Sequence, residues 1–166
     1  YPVEQLVRDC KITSIYEGTD GIQAMDLLGR KIGVDQGRVF MNFLGEIQKT
    51  IATARQSREL EDLAHEMEIA VNKLGEVAMS IGHKAMSAEF KAAFAFAFPF
   101  LEVMGDVIMA WMLLWRAALA QQQLAAGPKK KDVDFYQGQI KSAEFFIHAV
   151  LPATLGKMNG IVKGNG

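Results

Sequence analysis

Between residues 60 and 81 the apolar side chains recur at steps of three and four: Leu60, Leu63, Met67, Val71, Leu74, Ala78 and Ile81. That spacing lines them along one face of an α-helix and would scatter them over both faces of a strand. No alternating apolar–polar run of useful length occurs elsewhere, and the period stays helical almost throughout. An all-α fold follows, with a stripe this long demanding other helices to cover it.

Those helices can be placed. Pro2 suits a first turn, so a short helix is expected over residues 2–10. Ile12, Thr13 and Ile15 are β-branched, which favours an irregular segment over residues 11–18. Thr19 reads as the N-cap of a helix reaching Ile32, with Gly33 as its stop. Phe40, Phe43, Leu44, Ile47 and Ile51 share the next face. The long helix after Ser57 should close at Gly82-His83. Ser87 caps a Phe-rich element that Pro99 should kink or break before it continues to Leu124. Gly127-Pro128 marks a loop that should take in Lys129, Lys130 and Lys131. A final helix is expected from near Val133, bent or ended by Pro152, with a frayed end from Gly156. Long amphipathic helices joined by short turns predict an antiparallel bundle over residues 34–166, preceded by a short helical segment, residues 1–33, too poor in apolar surface to fold alone.

Composition excludes some functions. The net charge of -1 and the lack of a basic stripe with interleaved aromatics argue against a nucleic-acid partner. The lone Cys10 can build no disulfide framework and reads as a small, semi-buried side chain in a cytoplasmic protein. The apolar stretch over residues 92–120 contains Glu102, Asp106, Arg116 and Pro99, which favours a buried core helix over a membrane span. The opening Tyr1-Pro2-Val3-Glu4 has neither an initiator Met nor a targeting pattern, and reads as a point inside a longer protein.

Two linked motifs carry the most information. Tyr1-Pro2-Val3-Glu4, with Arg8-Asp9 and Lys11-Ile12, precedes Ile15-Tyr16-Glu17-Gly18-Thr19-Asp20-Gly21-Ile22-Gln23. Together they closely resemble the end of the catalytic helical domain of acyl-CoA dehydrogenases. The remainder resembles the extra carboxy-terminal helical domain of the larger bacterial members, through Phe135-Tyr136, Ala143-Glu144-Phe145-Phe146 and Val150-Leu151-Pro152. The resemblance covers nearly the whole chain. It implies an enzyme that uses FAD to convert an acyl-CoA thioester to a trans-2-enoyl-CoA, passing electrons to an electron-transfer flavoprotein.

The resemblance also assigns positions. Glu17 matches the catalytic base, which takes the α-proton while a β-hydride goes to flavin. Gly18 lies against substrate. Thr19 matches a flavin contact, and Asp20 and Gly21 fill the two variable positions that often touch flavin too. Here the sequence departs from members with a side-chain amide, since Gly21 has no side chain and Asp20 adds a negative charge. Arg8 and Asp9 match a structural pair. The other flavin-binding domains of the family are not among these residues, so the isolated chain is expected to be inactive and to bind no flavin.

Two other readings compete. A di-iron bundle would use Glu-x-x-His pairs. Glu61/His65 and Glu144/His148 are spaced by four instead, and read as surface ion pairs with no metal. The second is a non-catalytic interaction module, presenting Met104, Met109, Trp111, Met112 and Trp115 as an adaptable groove. Ordinary core explains them more simply. Apolar surface left by an absent neighbour would still drive self-association, so a homo-oligomer is expected.

Overall fold

The structure is a computed structural model that describes residues 3–14, 19–88 and 90–164. Among them there is no strand, and the all-α expectation holds. Helix α1 spans Val3–Lys11 and ends in a 3₁₀ turn at Ile12–Ser14. Helix α2, Thr19–Asp26, continues into a π turn at Leu27–Lys31. Helices α3 (Arg38–Ala54), α4 (Glu61–Ala85), α5 (Phe90–Ala95) and α6 (Ala97–Ala125) follow. Helix α7, Lys130–Phe145, runs through a second π turn, Phe146–Val150, into α8, Leu151–Gly164.

The core forms where the stripes of α3, α4, α6 and α8 meet. On α4 the buried positions include Leu63, Met67, Val71, Leu74, Ala78 and Ile81, the face read from the sequence. On α6 they include Phe100, Val103, Val107, Ala110, Leu114 and Ala117, again at steps of three and four. From α3 come Phe40, Ile47 and Ile51, and from α8 Leu151, Met158 and Ile161. Helix α6 touches α2, α3, α4, α5, α7 and α8, which makes it the hub of the bundle. Helix α2 joins the same core through Ala24 and Leu28.

Helix α6 and the continuous helix over Lys130–Gly164 are both long and apolar enough to cross a membrane by length and composition. Their buried faces are spent on each other and on α4. Glu102 of α6 lies 3.7 Å from Lys157 of α8. Asp106 accepts a 2.7 Å hydrogen bond from the hydroxyl of Thr154, which is buried.

The prolines act differently from expectation. The Phe-rich element does break, but at Phe96, where φ is -97° and ψ 5°. Pro99 then falls in the first turn of α6, where a missing N–H costs little. Pro152 neither ends nor frays its helix. The π turn before it places Leu151 N–H on the carbonyl of Phe146, five residues back. Such a turn absorbs the lost bond and keeps Ala143, Ile147 and Leu151 on one buried face at steps of four. The tail is not frayed through Gly164: α8 buries Met158 and Ile161 there. Helix α4 also runs past Gly82-His83 to Ala85. Helix α7 begins at Lys130 rather than near Val133, so Lys130 and Lys131 lie in a helix and not in the loop. Cations are unfavourable at a helix start, and Asp132 in the same turn offsets them.

The Asp106–Thr154 contact is the part-buried polar link between α6 and α8. Thr154→Val keeps the shape but leaves a half-buried carboxylate without its donor. We expect a loss of about 1–3 kcal/mol in chemical unfolding, and less for Thr154→Ser, which retains the hydroxyl. Equal losses for the two variants would assign the effect to packing alone.

Candidate functional site

The segment assigned to chemistry lies between α1 and α2. Glu17 and Gly18 fall outside the described residues. Their flanks do not. On the near side Thr13 Oγ1 donates to the carbonyl of Cys10 at 2.7 Å and closes α1. On the far side Thr19 opens α2 and is half-buried, while Asp20 and Gly21 are exposed. Ala24, 1% exposed, anchors α2 on the bundle one turn later. The first turn of α2 therefore projects beyond the contact that holds the helix.

That first turn can hold a polar group of a cofactor. Amides at a helix start have no intrahelical partner and carry partial positive charge. Among the described residues, and apart from the chain next to it, no atom lies within 4 Å of where a Cβ on Gly21 would sit, which leaves room for a ligand. Asp20 adds a carboxylate to the same turn, which suits a hydroxyl or a ring N–H better than a phosphate. The fit to flavin is to its uncharged portion.

Helix α1 has no buried residue at all. Val3, Leu6 and Val7, its apolar stripe, are 62%, 62% and 66% exposed. On α2, Ile22 and Met25 are exposed as well. The helix is held by its own side chains: Arg8 pairs with Glu4 at 2.9 Å, and Gln5 donates to Asp9 at 2.8 Å. Arg8 and Asp9 thus act within α1 and not as a pair with each other. Cys10, expected to be semi-buried, is exposed on the same helix.

The metal reading finds no support in side-chain placement. Among the described residues no three His, Cys, Asp or Glu groups converge. Glu144 pairs with Lys141 at 2.8 Å, and His148 reaches across to Asp62 of α4 at 3.0 Å. Glu144 and His148 thus engage partners other than each other, and not the pair that the spacing of four suggested. Trp111 is half-buried, donating its indole N–H to Thr50 Oγ1 at 2.7 Å, with Phe43 edge-on at 5.7 Å.

Comparison with known proteins now decides the family. The family model described as acetyl-CoA dehydrogenase C-terminal like matches residues 43–166. The chain belongs to that family. A broad-specificity linear acyl-CoA dehydrogenase of Mycobacterium tuberculosis is 33% identical over 158 residues, 92% of this chain and 26% of the relative. A 3-methylmercaptopropionyl-CoA dehydrogenase of Ruegeria pomeroyi is 35% identical over 156 residues, 90% and 25%. A butyryl-CoA dehydrogenase of Syntrophomonas wolfei is 29% identical over 162 residues, 97% and 26%. The chain spans about a quarter of the length of these relatives.

In this acetyl-CoA dehydrogenase C-terminal-like bundle, ionisation is perturbed where α3 gives way to α4. Arg55 grips Glu68 with two hydrogen bonds, 3.2 and 2.6 Å, tying the end of α3 to α4. The bond from Arg55 holds Glu68 below its usual 4.5, and a bond from Ser57 does the same for Glu59. A carboxyl depressed on folding stabilises the fold above its unfolded value and loses that contribution as pH falls through the folded one. Melting temperature should therefore drop on acidification below about 4.5, and Glu68→Gln should flatten the drop. The same slope in both proteins would show that the pair does not contribute.

Proposed function

We propose that the chain forms the carboxy-terminal helical portion of a flavin-dependent acyl-CoA dehydrogenase, residues 1–33 closing its catalytic domain and residues 34–166 forming an appended bundle. One observation carries the reading: α1, which precedes Glu17 in the chain, has its whole apolar stripe unburied. A stripe of this kind calls for a further domain, and such a domain is what would enclose Glu17. The family match supports the enzyme class.

In this reading Glu17 takes the α-proton of an acyl-CoA thioester. Enclosure strips water from its carboxylate, raises its pKa and makes it a better base. The backbone N–H of Glu17 donates to the enolate oxygen as charge develops there. Gly18, lacking a Cβ, lets the thioester come close to the backbone. Thr19 and the first-turn amides of α2 hold the uncharged portion of FAD, with Asp20 and Gly21 beside them. Flavin, when bound, supplies the hydride acceptor, and the product is a trans-2-enoyl-CoA. An electron-transfer flavoprotein in the cytoplasm is the fitting partner for reoxidation. The 166 residues alone neither bind flavin nor turn over substrate.

Glu17→Gln in the complete enzyme tests the assignment, because it keeps size and removes the base. Reduction of the flavin by acyl-CoA should fall by at least about a hundred-fold while flavin absorbance at rest is unchanged. Near-normal reduction would place the base elsewhere.

The bundle also has a surface suited to a second copy. Met109, Trp115 and Leu119 are each about half exposed along α6. Self-association follows, and light scattering at micromolar concentration should report at least a dimer. A single 18.3 kDa species would contradict it.

A further inference from the structure

The linker after α2 contains strained backbone. Asp35, Gln36 and Gly37 have φ of 54°, 56° and 84°, three consecutive left-handed residues. For non-glycine residues this costs roughly 1–2 kcal/mol each, and such strain persists only where surroundings impose it. The guanidinium of Arg38 clips the turn, its Nε donating to Asp35 Oδ2 at 2.9 Å. The turn thereby holds Val34 on one side and Val39 on the other, 42% and 51% exposed.

Between them opens a pocket of about 260 Å³. Phe40 is buried beneath it, and Leu27, Ile32, Phe43 and Met104 close the sides. All of these are apolar. The one charged residue on the lining is Lys31. Its ammonium lies 4.0 Å from Asp26, at the edge of ion-pair range, while Arg30 Nε takes the other oxygen of that carboxylate at 2.6 Å. Arg30 satisfies Asp26, and Lys31 keeps donors to spare. An apolar cavity of ~150 Å³ accepts benzene. By that scale the pocket takes a chain of roughly eight carbon atoms.

The geometry points to a binding site for a medium-chain aliphatic carboxylate, its tail against Phe40 and Phe43 and its head on Lys31. Shape and charge agree on that ligand. A purely aliphatic tail needs no hydrogen bond inside, and the lining offers none. The single cation at the rim matches a single anionic head. None of the residues lining the pocket belongs to the segment assigned to chemistry, and the proposal does not rest on the flavin reading.

Isothermal titration of the chain with octanoate tests this, backed by tryptophan emission, since Phe43 touches the Trp111 ring. Binding should be one to one and weaken about four-fold for each methylene removed, from octanoate to hexanoate. Octanol, with no charge, should bind about five-fold more weakly than octanoate, the scale of one exposed ion pair. Lys31→Met should remove that difference and leave octanol binding intact. Val39→Asp, at an exposed position of the first turn of α3, should abolish binding of both with the helical circular dichroism unchanged. Absence of saturable octanoate binding, or binding indifferent to chain length, would overturn the site. So would equal loss of octanol and octanoate in Lys31→Met, or octanoyl-CoA binding in place of octanoate.

Discussion

Everything in the bundle leans on α6. Its buried stripe, Phe100 to Ala117, meets α3 and α4 on one side and α8 on the other, and α2 is carried on it through Ala24 and Leu28. Burial of each large side chain there contributes roughly 1.5–3 kcal/mol before entropy is counted. A helix that apolar is insoluble unless covered, so the surrounding helices are as much its consequence as its support. Where cover is incomplete, at Met109, Trp115 and Leu119, apolar surface remains. The polar contacts that cross the interior, Thr154 to Asp106 and Trp111 to Thr50, fix how α8 and α3 sit against the hub.

The helices were legible because burial imposes a period that the residues cannot hide. Leu63 through Ile81 is the clearest case, and the face read from spacing is the face that packs. Breaks were less legible, because proline acts on hydrogen bonds that may or may not exist. Pro99 has no bond to lose in a first turn. Pro152 does have one to lose, and a π turn redistributes it over five residues. Nothing in local composition distinguishes those outcomes; packing of Ile147 and Leu151 does. The left-handed turn at Asp35 and Gln36 was also invisible, since neither residue type demands it and only the Arg38 clip and the seating of Val34 and Val39 hold it.

The candidate site was legible in a different way. Glu17 stood out through its motif neighbours and not through any property of a carboxylate beside glycine. A base of this type needs a dry surround. Of the described flanks, Ile12, Thr13, Asp20 and Gly21 are exposed and Thr19 is half-buried. In the proposed reading that cover comes from a further domain, and the open stripe of α1 points to the same need. The bundle and the motif thus play unequal parts: residues from Phe43 onward carry their own core, while the first helix carries an unmet demand for one.

Hydrogen exchange tests that inequality directly. In this chain, amides of Val3–Lys11 should exchange within a few-fold of unfolded rates, while those of α4 and α6 are protected to the limit of global unfolding. Protection of α1 comparable to that of α4 would mean its apolar stripe is already satisfied, and the account of a helix waiting for a further domain would be wrong.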